Sequence, residues 1–139
     1  ARLGERVRGL VLIGGGADAV TIARETTLKR VSLALRCGEE PVGDDLFAVA
    51  RDAYRRHTRL DPYAIAPSLS QTPVLMVHAL GDRIVPADTG RLMWERLGRP
   101  DRLDFLLDHY ELFYFIPGQA PRVARWLDQH VPMPPKRPG

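Results

Sequence analysis

Cysteine, lysine and serine are the scarce residues of this chain. The single cysteine, Cys37, excludes an internal disulfide and any zinc site built from several thiolates. Of the 20 arginines and lysines only Lys29 and Lys136 are lysines. The net charge of +3 is modest and the arginines are dispersed, so no nucleic-acid partner is expected. Arg51, Arg55 and Arg59 share one helical face, which suits phosphate contact or, as the preferred reading, a solvated helix surface. No apolar run approaches the ~20 residues of a membrane helix, so no membrane span is expected. No signal peptide is visible. The first residue is Ala1, so an upstream portion is expected, and the compartment stays open with the cytoplasm favoured. His57, His78, His109 and His130 lack the His-X-X-X-His or carboxylate spacing of a metal site, and neither metal nor cofactor is expected. No internal repeat is present.

What remains is an ordinary folding composition, 45% apolar and 27% charged over 139 residues, enough for one domain with a core. The chain is organised around Thr72–Pro86. Val74 to Val77 is an unbroken apolar run opened by Pro73 and closed by Gly81-Asp82, the pattern of a strand covered on both faces, as in parallel sheets. Asp82 then lies just past the carboxyl end of a buried strand, on the rim where open α/β sheets collect ligands. A second run, Leu103 to Leu107, leads into Asp108-His109-Tyr110. Parallel neighbouring strands would bring Asp82 and His109 to one rim, side by side.

Upstream, Val7 to Ile13 reads as a strand stopped by Gly14-Gly15-Gly16, and Asp18 as the cap of a helix through about Arg30. Val31 to Leu35 suits a strand or the end of that helix. Gly38 to Gly43 reads as a loop. Asp44 or Asp45 caps an amphipathic helix with Leu46, Val49, Ala50, Ala53 and His57 inward. Asp61-Pro62 and Ala66-Pro67 return the chain to the central strand. Pro86 opens a helix to about Leu97, stopped by Gly98 and Pro100, and Pro121 starts a last helix that turns Val123, Trp126 and Leu127 inward. Residues 133–139 read as a disordered tail. The alternation predicts an α/β fold: a three-layer sandwich fragment with a small parallel sheet of three main strands (about 7–13, 73–79 and 102–107) in sequential order, helices on both faces.

Asp82 and His109 are the first chemical constellation. Nucleophilic hydrolysis needs a histidine base held in one tautomer by a buried carboxylate, and strand-end aspartate before strand-end histidine is one of the known chain orders. From Pro73 to His78, through Asp82-Arg83-Ile84-Val85-Pro86 and His109-Tyr110 to Trp126-Leu127, the sequence resembles the α/β-hydrolase superfamily, over about Val7 to Val131 and most strongly from Pro73 to Leu127. Ala79 and Asp108 stand where that family usually has glycine. The resemblance implies Asp82 as triad acid and His109 as triad base, in a hydrolase acting on an ester, thioester or amide, with a small-molecule acyl substrate. The serines, Ser32, Ser68 and Ser70, have no flanking glycines, so no Gly-X-Ser-X-Gly elbow is present. Cys37 reads as structural or incidental.

The chain therefore reads as the carboxyl-terminal part of such an enzyme (residues 1–132), inactive by itself. Its first strand would be a bare sheet edge for the missing amino-terminal half, a second copy or a partner. Residues 38–72 fall where the family inserts a cap, so Leu46, Phe47, Tyr54 and Tyr63 either line an acyl pocket or, as the preferred reading, belong to the core. One alternative is a non-catalytic interaction module of the same fold. Another is a dinucleotide-binding domain: Val11 to Ala19 fits strand, Gly-X-Gly-X-X-Ala, helix, with Glu39 and Glu40 about 20 residues on. There Asp18 would set a negative charge near the phosphates.

Overall fold

A computed structural model describes residues 7–28, 36–37, 40–41 and 43–131. The expected parallel sheet is present. β1 (Leu10–Ile13), β4 (Val74–Ala79) and β5 (Asp101–Phe105) run parallel in the order β1-β4-β5, with β2 (Arg36–Cys37) and β3 (Glu40–Pro41) forming a separate antiparallel ladder. Leu10 pairs with Val74 and Leu75 with Asp101, so each strand is a sequential neighbour of the last. All six residues of β4 are buried, His78 included, in keeping with the apolar run Val74 to Val77.

Alternation along β4 feeds two cores. Val74 and Met76 pack with Ala66, Met93 and Leu97 on one face, under α4 (Ala87–Arg96) and the short helical turns α3 (Pro62–Ile65) and Ala66–Leu69. Leu75, Val77 and Ala79 pack with Leu103 and Leu112 on the other, under α5 (His109–His130). Each buried aliphatic side chain there contributes about 1.5–3 kcal/mol.

The elements differ from the sequence reading at their ends. β1 and β5 are shorter and shifted, 10–13 rather than 7–13 and 101–105 rather than 102–107. Leu106, next in line, is 89% exposed. Helix α1 (Ala19–Glu25) stops well before Arg30, because Thr26 turns extended and the Thr27 amide bonds to the Arg83 carbonyl. In α2 (Asp44–His57) Gly43, not Asp44 or Asp45, is the cap, and the two aspartates occupy the first turn. The expected inward stripe of α2 is also displaced. Leu46 and Val49 are exposed and Phe47 is buried, with the Arg24 guanidinium 4.1 Å from its ring centroid. Arg55 faces inward rather than solvent, to an ion pair with Asp18. A polar partner waiting in the interior outweighed the apolar count of that face.

The largest departure is α5, which runs unbroken through Pro117 and Pro121 where a new helix was expected at Pro121. Proline removes one helical hydrogen bond and crowds the preceding turn. Here both prolines are exposed, and Leu112, Ile116, Val123 and Trp126 bind the helix to the sheet on either side of them. Part of the loop expected at 38–43 is instead the β2–β3 ladder. Residues 29–35, including Val31 to Leu35, and the tail at 133–139 lie outside the described residues, as does Glu39.

Candidate active site

Two turns at the carboxyl ends of β4 and β5 build the site. Gly81 bonds through its amide to the Leu107 carbonyl at 3.1 Å, and a Cβ at Gly81 would sit 2.9 Å from that oxygen. Glycine thus lets the two turns touch. The next residue, Asp82, is 6% exposed, and its Oδ1 accepts from the Ile84 and Val85 amides at 2.8 Å each. Those bonds aim the other oxygen, Oδ2, at His109 Nδ1, 2.7 Å away. An acceptor at Nδ1 requires the proton there, so neutral His109 keeps its lone pair on Nε2.

His109 is the first residue of α5 rather than a loop residue. Asp108 caps the helix, accepting from the Glu111 amide at 2.8 Å, while Glu111 accepts from the Asp108 amide at 2.8 Å. This capping box explains Asp108 where glycine was expected, and Asp-X-X-Glu was its legible signal in the sequence. Tyr110 and Phe113 meet the imidazole edge-on, at centroid distances of 5.9 and 5.2 Å. The ring is therefore fixed by a carboxylate, a helix start and two aromatic neighbours.

Beside it opens a cleft of about 430 Å³ walled by Ile84, Leu106, Leu107 and Tyr110, with Thr27 and Arg83 as polar groups. No serine or cysteine borders it among the described residues, and the Thr27 hydroxyl donates to the Arg83 carbonyl at 3.3 Å. Leu46, Phe47, Tyr54 and Tyr63 do not line it either. Tyr63 packs on the first core between the Arg55 and Arg96 guanidiniums, and the Tyr54 hydroxyl donates to Asp61 at 2.8 Å.

Comparison with known proteins returns neither a matching family model nor a matching curated protein.

The glycine-rich turn after β1 lies elsewhere on the same rim. Gly14 has φ +61°, and a side chain at Gly16 would collide with Thr89 and Val85, so these glycines serve the turn and close packing. The α1 amides that would cradle a pyrophosphate are occupied. Asp61 accepts from Asp18 and Ala19 at 2.9 and 2.8 Å, and Asp18 itself is fully buried against Arg55. Burial alone would raise the Asp61 carboxyl pKa, but the amides of Asp18, Ala19 and Tyr63 and the Tyr54 hydroxyl hold it below the ordinary value. Sequence reasoning missed Asp61, since nothing local marks a carboxylate that bonds residues 42 and 43 positions away.

His78 is buried, with neither ring nitrogen hydrogen-bonded; Nδ1 is 3.6 Å from Asp104 Oδ1. Burial pushes its pKa below the usual histidine value despite Asp104. Among the described residues no group of three or more metal-binding side chains occurs, and no helix is long and apolar enough to cross a membrane.

Proposed function

We propose that Asp82 and His109 are the acid and base of a hydrolase triad, in an α/β-hydrolase domain whose nucleophile lies outside this chain. The observation that carries the reading is the 2.7 Å Asp82–His109 contact, with the second carboxylate oxygen locked by two amides. His109 Nε2 takes the proton from a serine hydroxyl as it attacks an ester, thioester or amide carbonyl, and returns it to the leaving group. Water then repeats the cycle on the acyl-enzyme. Asp82 holds the tautomer and stabilises the imidazolium, without itself taking the proton. The cleft beside His109 receives part of a small acyl substrate.

The free edge of β1 suits a strand carrying the nucleophile, because Leu10–Ile13 pairs only with β4 among the described strands. The interaction-module reading draws on the same edge and on the exposed Leu106, Tyr110 and Tyr114. The dinucleotide reading gains nothing from an α1 terminus already filled by Asp61.

In a polypeptide that includes the nucleophile, His109→Ala should lower turnover of a p-nitrophenyl ester by about 10⁴-fold or more, with the melting temperature little changed. Retained turnover would end the proposal. The 139-residue chain alone should hydrolyse no ester.

A further inference from the structure

The opposite end of the strands holds a second cleft, of about 400 Å³, between the start of β5 and the carboxyl-terminal half of α5. Leu103, 9% exposed, and Trp126 supply its apolar surface among polar neighbours, with Leu75 buried beneath them. Its wall is Trp126, and that ring is already held. The indole N–H donates to Asp101 Oδ2 at 2.7 Å, and His130 stacks on it with centroids 4.7 Å apart and planes 15° from parallel. Arg122 and Arg125 stand on the rim, three residues apart on α5 and so neighbours on its surface.

The charges around the cleft are unevenly committed. Arg102 is paired with Asp104 at 2.7 Å, and Asp101 is engaged by the indole and lies 3.5 Å from His130 Nε2. Among the described residues Arg122 and Arg125 have no carboxylate at salt-bridge distance, and both are exposed. Two like charges side by side on a helix repel each other unless an anion lies between them. A guanidinium fork matches the planar geometry of carboxylate and the oxygens of phosphate. Leu103 and a fixed indole ask for a flat apolar body behind that anionic group. The volume is in the range of small-ligand sites.

The geometry points to a binding site for a small organic anion. Its carboxylate or phosphate lies on Arg122 and Arg125, and its apolar body rests against Trp126 and Leu103. This cleft lies at the amino-terminal end of β5 and His109 beyond its carboxyl end, so the site stands or falls apart from the hydrolase reading.

The test is a titration of the ¹⁵N-labelled chain at constant ionic strength with phenyl phosphate, benzoate and inorganic phosphate, followed on the indole N–H signals. Trp94→Phe assigns them. Phenyl phosphate or benzoate should move the Trp126 signal saturably and leave that of Trp94 in place, and whichever binds more tightly identifies the anionic group. Inorganic phosphate, having no apolar body, should bind several-fold more weakly. Arg122→Gln with Arg125→Gln, on an exposed helix face, should keep the spectrum dispersed and lose about tenfold or more in affinity, as expected for two charge-assisted contacts. No saturable shift with either aromatic probe would overturn the proposal. So would affinity unchanged in the double variant, or inorganic phosphate binding as tightly as phenyl phosphate.

Discussion

Asp18 and Asp82 are two answers to one local problem. Each follows a glycine-containing turn at the carboxyl end of a parallel strand, and each is buried, at 0% and 6% exposure. Asp18 meets Arg55, a permanent cation, and caps α1 through the Thr21 amide and hydroxyl. Asp82 meets His109, an imidazole with its second nitrogen free to act on a proton, at the margin of an open cleft. A carboxylate closed against arginine is structure. The same carboxylate held against histidine beside empty space is the arrangement that acid–base chemistry requires.

Paired substitutions separate the two. In a polypeptide that carries the nucleophile, Asp82→Asn should cost about ten-thousandfold in kcat, by presenting the wrong tautomer of His109, with a small change in urea midpoint. Asp18→Asn keeps a residue tolerant of its φ of +70° and its capping role, but leaves Arg55 without a counter-charge. It should cost about 2 kcal/mol of stability, less than the roughly 3–5 kcal/mol of fully buried pairs because Arg55 is partly solvated, while kcat is unchanged. Equal kinetic effects from the two would erase the distinction.

His78 sharpens the comparison as a buried histidine with no such partner. Its folded pKa is depressed below the reference value of 6.5. Below pH 6.5 the unfolded chain binds a proton that the folded chain refuses, so stability should fall as pH drops from 6.5 towards the lower folded value, and level off beneath it. Melting temperatures between pH 7.5 and 5 check this, and His78→Gln should flatten the slope. Asp61 is shifted in the same direction, its carboxyl held below the ordinary value, and adds its own loss of stability only below its reference value of 3.8. The smallest effect is expected from Glu111→Ala, which opens half of the capping box under His109. It should cost about 0.5–1 kcal/mol in a denaturant melt, and the local signature is a weaker hold on the imidazole's orientation.

Much of this was legible in one dimension because the signals were local. An unbroken Val-Leu-Met-Val run opened by Pro73 suits a strand covered on both sides, and Gly81-Asp82 suits a turn after it. His109 could then be placed opposite Asp82 from strand order alone. What failed was non-local. The two prolines inside α5 signal a break, yet Leu112, Ile116 and Trp126 anchor the helix on either side of them. The inward face of α2 was misjudged because its decisive residue, Arg55, is charged and finds Asp18 37 positions earlier.

The sequence by itself determined the alternation of strands and helices, the parallel order of three strands, and the two side chains that face each other across their ends. These follow from periodicity, turn chemistry and crossover handedness, which act over a few residues or by general rule. Only the tertiary structure decided where Asp61 spends its carboxylate, why the glycine triplet is a packing device, and that His109 opens a helix beside a cleft. A hydrogen bond or a close approach between distant segments has no period and leaves no local mark; it exists only once the chain has closed on itself.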